Sequence, residues 1–240
     1  MFATRWWRMS LPRQLQPELL DTLAPHDPRA VRSRRDLRRI NRFMATASLL
    51  GAPLDGILRD SAVVRLVELG SGDGEMLLQI ARRHARRWPK VSVELLDAQP
   101  VVSAQTLSSY RALGFNVQVT RADVFDWLAR PAYDGHPVII ANLFMHHFEG
   151  ERLSVLLGGI AARASAFLCC EPRRSRLALT GSRLLGLIGC NAVTRHDAVA
   201  SVRAGFSARE LSTLWPQPAA WSLREGPAGF FSHRFQAVRV

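Results

Sequence analysis

The sequence predicts an α/β fold: one open, mostly parallel β-sheet ending in a hairpin, with a helical cap in front and a helical insertion after the fifth strand. Three observations predict it. From residue 63 to residue 170, short apolar runs alternate with helix-patterned stretches, and the short connections call for parallel crossovers in one sheet. A glycine-rich turn closes the first of these runs. Residues 221–225 and 230–240, parted by Gly226-Pro227-Ala228-Gly229, read as a terminal hairpin.

Residues 1–60 read as the cap. Residues 16–23 suit a short helix stopped near Pro25 and Pro28. Residues 29–50 carry Val31, Leu37, Ile40, Phe43, Met44 and Ala47 near helical spacing, with Gly51-Ala52-Pro53 as the break. The main domain, residues 61–240, opens with a strand over residues 63–69. A helix follows with Met76, Leu77, Ile80, Ala81 and Trp88 on one face and Arg82, Arg83, Arg86 and Arg87 on the other, a solvated face. Strands are expected at 91–96, 117–120, 138–141 and 166–170, and helices at 100–113, closed by Gly114, and 149–164. Residues 173–205 interrupt the alternation with an apolar helix over 173–190, loosened by Gly181, Gly186 and Gly189, and a second helix over 197–203. Ser207-Ala208-Arg209-Glu210 has the form of a capping box that opens another helix, through Leu214.

Composition narrows the function classes. With 240 residues, 48% of them hydrophobic, the chain can bury a substantial core. No run of eighteen apolar residues suits a membrane span, and the Arg/Trp-containing start lacks the apolar core of a secretory signal. Cys169, Cys170 and Cys190 cannot build a disulfide framework, which fits a reduced, cytoplasmic protein. The net charge of +12 comes from 31 arginines and one lysine, Lys90, spread along the chain. No basic block interleaves with aromatics, so no nucleic-acid partner is expected; peripheral contact with anionic lipid fits the charge better.

The chemistry concentrates at Glu68-Leu69-Gly70-Ser71-Gly72-Asp73-Gly74, where the first strand gives way to its helix. Glycines there let the backbone turn sharply and approach a ligand. Glu75 stands where a dinucleotide fingerprint needs its third glycine, and no Gly-Lys-Ser/Thr follows. An acidic side chain at that helix N-terminus disfavours a pyrophosphate, so the ligand expected is a nucleoside without phosphates.

This pattern resembles the first motif of class I S-adenosylmethionine-dependent methyltransferases, and the match continues in order. Leu95-Leu96-Asp97-Ala98 closes the second strand, where the resemblance implies an acid that binds the ribose. Ala122-Asp123-Val124-Phe125 follows the third, where it implies that Asp123 and Val124 hold the adenine. Asn142-Leu143-Phe144-Met145-His146-His147-Phe148 follows the fourth and is similar to a variant of the family's fourth motif. The resemblance covers about residues 60–172 and 205–240. It implies a Rossmann-like sheet of seven strands, the seventh antiparallel between the fifth and sixth, and S-adenosyl-L-methionine as cofactor. The set implied to bind it is Glu68, Gly70, Ser71, Gly72, Gly74, Asp97, Ala98, Asp123, Val124 and Asn142.

The acceptor is narrowed by elimination within that family. A Pro-Pro-aromatic motif and a Pro-Cys nucleophile are missing, no Asp/Asn set suits a catechol-type metal, and adjacent histidines are poorly spaced to chelate an ion, so no metal is expected. Small-molecule O-methylation remains, with His147, or else His146, as the base. Residues 36–42 and 194–206 look like bacterial methyltransferases that accompany phenolic-lipid and quinone polyketide synthases. That looser resemblance implies a lipophilic phenolic or quinone-like acceptor, with Asn41, Arg42, Arg195 and His196 at the pocket edge. C- or N-methylation of another small molecule or a macromolecule, or a non-catalytic cofactor-binding scaffold, are the alternatives. Leu177, Leu184, Leu187 and Ile188 form an apolar stripe that suggests a lid over the acceptor; packing on the N-terminal helices around Leu37 and Phe43, or a dimer contact, are the alternatives.

Overall fold

The computed structural model describes residues 11–59, 63–88 and 90–240; the Arg/Trp-containing start read above lies outside them. One seven-stranded sheet has the order β3-β2-β1-β4-β5-β7-β6. β1 (Val63–Leu69), β2 (Lys90–Asp97), β3 (Asn116–Arg121), β4 (Val138–Asn142) and β5 (Ala166–Pro172) pair in parallel. β7 (Ser232–Arg239) lies antiparallel between β5 and β6 (Trp221–Ala228). The expected architecture, including the inserted last strand, is the one found.

β5 is buried at every position, as a central strand covered on both faces must be. Cys169 and Cys170 point into different cores, as strand alternation requires. One core holds α3 (Thr46–Leu58), α4 (Glu75–His84) and α5 (Ala104–Ala112) through Leu50, Leu54, Ile80 and Tyr110. The other holds α6 (Val124–Ala129), α7 (Gly150–Arg163) and α10 (Glu210–Leu214) through Trp127, Leu157 and Leu211.

The cap departs from expectation in an instructive way. α1 (Leu19–Thr22) is brief, and α2 (Pro28–Phe43) ends at Met44-Ala45, where Ala45 takes a left-handed conformation at φ 54°. α3 then runs straight through Gly51-Ala52-Pro53, the expected break. A helical proline leaves the carbonyl four residues earlier without its donor. Here that carbonyl, Leu49 O, accepts from Arg234 Nη1 at 3.1 Å. A Cβ on Gly51 would sit 3.1 Å from His84 Nε2, so glycine permits the close approach of α3 to α4.

The insertion comprises α8 (Arg176–Arg183), a 3-10 turn over Leu184–Ile188, and α9 (Ala192–Ala204). α9 starts five residues before the expected Asp197, because Asn191 caps it by accepting from the Thr194 N–H. α9 is bolted to the cap: Asn191 N–H donates to Asp36 Oδ2 (2.8 Å), and the Leu19 and Leu20 N–H groups donate to the Asp197 carboxylate (2.8 and 2.9 Å). Cap and α9 together roof the carboxyl ends of β1, β2 and β4, where open sheets bind ligands. Among the described residues no helix is long and apolar enough to cross a membrane.

Candidate active site

Under that roof lies a cavity of about 440 Å³, within the range of small-molecule sites. Its floor is the loop between β1 and α4. Gly70, Gly72 and Gly74 all have positive φ (61°, 54° and 73°), the region that favours glycine. A Cβ at Gly70 would fall 2.3 Å from the Phe144 ring, whereas at Gly72 it would enter open space. The loop is stitched to β2: Ser71 N–H donates to Leu96 O (3.0 Å) and Gly72 N–H to Asp97 Oδ2 (2.8 Å). Asp97 Oδ1 accepts from the Gln99 N–H at 2.8 Å. Each carboxylate oxygen keeps a further lone pair for a ligand hydroxyl. Arg38 of α2 pairs with Asp73 at 2.8 Å, closing the cap over the loop.

The expected cofactor residues line this one cavity: Glu68, Gly70, Ser71, Gly72, Asp97, Ala98, Asp123, Val124 and Asn142. Gly74 stands just behind it as the left-handed residue that starts α4. Asp123 also caps α6, accepting from the Phe125 N–H at 2.8 Å, a helix the sequence reading did not foresee. Glu68 Oε2, Ser71 Oγ and Asn142 Oδ1 are buried and have no partner among the described residues. Buried polar atoms are rarely left so, and three on one cavity wall fit a polar ligand, such as the amino-acid and nucleoside parts of S-adenosylmethionine. Burial first, then the charges of Asp73 and Asp97, push the Glu68 carboxyl well above the usual carboxylate range.

The two histidines sit on a 3-10 turn, Met145–His147, that follows β4. The chain bends into it at Leu143, held at φ 53° with its N–H donating to Cys170 O. Glu171, fully buried on β5, fixes the turn by accepting from the N–H groups of Phe144 (3.1 Å), Met145 (3.0 Å) and His146 (3.3 Å). Its Oε2 also takes His146 Nδ1 at 2.7 Å, while His146 Nε2 meets Glu18 Oε1 at 3.2 Å. Burial alone would lower the His146 pKa, but hydrogen bonds to Glu171 and Glu18 outweigh it and push it up to about 9. His146 is therefore an imidazolium with both nitrogens occupied.

His147 is the opposite case. Its ring lines the cavity, 6.4 Å from the Phe144 ring, and Nδ1 stands 3.5 Å from Asp21 Oδ2. Burial first, then the His146 charge with its ring 4.3 Å away, lower its pKa. Asp21 keeps 60% of its side chain in solvent, so its attraction is screened, and desolvation leaves His147 neutral at pH 7.

Adjacency does not keep the histidines from converging: donor atoms of Glu18, His146 and His147 lie within 4.8 Å of one another. A cation there would compete with the proton that His146 shares with Glu18.

Of the looser candidates, Asn41 lines the cavity and Arg42, Arg195 and His196 do not. Arg42, Arg195 and His196 are exposed, and His196 Nδ1 meets Asp197 Oδ1 at 2.9 Å. The insertion reaches the cavity through Thr194, Asp197, Ala198 and Ser201 of α9. The apolar stripe proposed as a lid does not; Leu177, Leu184, Leu187 and Ile188 all point outward. The residues missed in sequence are Glu18, Asp21, Arg34, Arg38 and Glu171. Only Glu171 carried a local signal, as an acid ending an apolar strand.

No family model matches the chain. Trans-aconitate 2-methyltransferase of Mycobacterium tuberculosis is 32% identical over 82 residues, 34% of this chain. The chain thus spans about a quarter of the length of the curated relatives it matches. Among solved structures, the plantazolicin methyltransferase BpumL in complex with SAH is similar with a TM-score of 0.61 at 12% identity, covering 90% of this chain and 92% of that one. Magnesium protoporphyrin IX methyltransferase from Synechocystis PCC 6803 with bound SAM gives 0.53 at 13% identity, over 87% and 84%. The dimethyltransferase RosA from Streptomyces davawensis gives 0.59 at 15%, over 93% and 62%. The fold is the one these methyltransferases share.

Proposed function

We propose that this chain is an S-adenosylmethionine-dependent methyltransferase that O-methylates a lipophilic phenol or quinol. The observation that carries the reading is a neutral His147 lining the same cavity as the glycine loop and its three unpartnered buried oxygens. Asp97 and Ala98 would hold the ribose, and Asp123 and Val124 the adenine. Gly70, Ser71, Gly72 and Asn142 would hold the amino-acid end, with Glu68 and Gly74 behind them; the acceptors at Glu68 and Asn142 suit an ammonium. When bound, S-adenosylmethionine supplies a methyl group on a sulfonium, open to attack by an oxygen nucleophile.

The chain's own part is to hold the acceptor and move one proton. A phenol titrates near 10, so its oxygen gains nucleophilicity as a base removes the proton. With Nδ1 turned to Asp21, His147 offers Nε2 for that proton, and Asp21 steadies the imidazolium that forms. The fixed charge of His146 favours return of His147 to the neutral form after each turnover. Leu20, Leu37, Leu143, Phe144 and Phe148 supply apolar lining for an aromatic ring. No metal is required on this reading.

Replacing His147 by Ala should lower kcat by about 10²–10⁴ with a phenolic acceptor while leaving affinity for S-adenosylhomocysteine nearly unchanged. Unchanged kcat sinks the base assignment. One observation favours a second reading. Arg34 and Arg38 also line the cavity, and the partial relative is named for an acidic acceptor. A carboxylate is already ionised and needs no base, so His147→Ala would then spare turnover. An acceptor panel that pairs phenols with di- and tricarboxylates separates the two.

A further inference from the structure

We propose that the outer face of α2, together with the 184–188 turn and the β6–β7 turn, docks this protein onto an anionic lipid bilayer. After Pro28, the exposed residues along α2 are Arg29, Arg32, Arg35, Arg39 and Arg42, ending in Phe43. Residues 173–196 add five more arginines and no acid; of these Arg176, Arg183 and Arg195 are exposed. On this part of α2 the acid is Asp36, which is buried and pairs with Arg39 at 3.2 Å. Asp27, at the far end, pairs with Arg29.

Large apolar side chains stand out among these arginines. Leu187 is 82% exposed, Phe43 81% and Phe230 72%, and Leu177, Leu184 and Ile188 are each more than half exposed. They belong to one region. Arg39 Nη2 donates to Ile188 O at 3.0 Å and Arg32 Nη2 to Gly189 O at 3.3 Å, so the 184–188 turn sits against α2. Phe43 is one turn beyond Arg39. Leu177, Gly181 and Leu184 follow i, i+4, i+7 on one helical face, and a Cβ at Gly181 would lie 3.0 Å from the Phe231 ring, next to Phe230.

Clustered exposed apolar side chains mark a contact surface, and their basic surround selects the occupant. Long apolar side chains ringed by arginine, with acids neutralised or buried, match the acyl boundary and phosphate layer of a negatively charged leaflet. The placement is also useful. The inner face of α2 lines the cavity through Ser33, Arg34, Leu37, Arg38 and Asn41, so one helix separates bilayer from acceptor site. Delivery of the acceptor from the membrane rests on the reading above; docking itself does not.

The test is sedimentation of the full chain with phosphatidylglycerol/phosphatidylcholine vesicles, against pure phosphatidylcholine. Strong binding to the anionic vesicles alone, weakened by salt, is expected. Leu187→Asp should weaken it at least tenfold, and Arg35→Gln by about fivefold. Both variants should keep a native circular dichroism spectrum and unchanged S-adenosylhomocysteine affinity, which separates failure of docking from failure of the cofactor site. Equal binding to both vesicle types overturns the proposal. So does binding that survives Leu187→Asp and is lost on deletion of residues 1–10. A concentration-dependent dimer that Leu187→Asp dissociates, without vesicle binding, would assign the face to self-association instead.

Discussion

His146→Gln is the sharpest probe of the site, because it removes a buried cation and little volume. In the wild type, His146 bridges Glu171 at 2.7 Å and Glu18 at 3.2 Å, and neither the histidine nor Glu171 reaches solvent. An amide can donate a hydrogen bond to one carboxylate but carries no charge to offset either. Breaking a buried ion pair costs about 3–5 kcal/mol. For a chain of this size that lowers the melting temperature by roughly 6–20 °C. The pH dependence gives an independent readout. The His146 pKa is about 9 in the folded state against an ordinary value of 6.5. Its contribution is therefore fully present below pH 6.5 and is lost as pH rises through 9. The difference is worth about 3 kcal/mol. Glu18 is shifted down: burial would raise it, but hydrogen bonding to His146 prevails. Its contribution is present above its ordinary pKa and lost on acidification. Urea melts at pH 6 and 9 should show the wild type weakening by a few kcal/mol and His146→Gln by much less. The substitution should also raise the His147 pKa, since the His146 charge helps depress it, moving the acid limb of kcat/KM to higher pH. A variant as stable as wild type at pH 7, with the same pH dependence, would falsify the ion-bridge account.

Three further outcomes follow from the same geometry. Asp97→Ala should weaken S-adenosylhomocysteine by about 2–4 kcal/mol in calorimetry, because it removes the ribose acceptor and frees the Gly72 and Gln99 N–H groups; NAD binding as tight as the methyl donor in the wild type would reject the nucleoside assignment. Arg234→Met should destabilise by about 1–2 kcal/mol in denaturant titration, because it strands Leu49 O beside Pro53; no change would mean water replaces the guanidinium. Dialysis against a chelator should leave kcat within about twofold, since a proton bridges His146 and Glu18; loss of activity restored by a divalent ion would make Glu18, His146 and His147 a metal site.

The sheet was legible because its signals are local. Each strand's apolar run and the glycine turn at 70–74 specify backbone conformation within a few residues, and the positive φ of Gly70, Gly72 and Gly74 is what those glycines permit. The cofactor wall was legible for the same reason: its residues sit at strand ends, and topology brings strand ends together. Helix boundaries in the cap were not. Gly51-Ala52-Pro53 breaks a helix in isolation, yet here Arg234, 181 residues further on, replaces the missing donor, and His84 fills the space a side chain would need. No window around Pro53 contains that information.

The histidine pair shows the same divide at the level of chemistry. In sequence, His146 and His147 are two equivalent imidazoles after one strand. What separates them is Glu18, 128 residues away, and Glu171, 25 residues away. Two carboxylates make His146 a cation at neutral pH, and that cation, 4.3 Å from its neighbour's ring, helps keep His147 neutral. The roles are thus assigned by the cap: without α1 and the residues leading into it, neither Glu18 nor Asp21 would face the turn. That coupling explains why the cap is fastened at several points, among them Asp197 and Asn191 of α9 and Asp73 of the glycine loop, which pairs with Arg38. A segment that merely covered the cavity could be held loosely. One that sets the protonation of the base must be held to within a hydrogen bond, since the electrostatic effect of a carboxylate on a buried imidazole falls steeply once water enters between them.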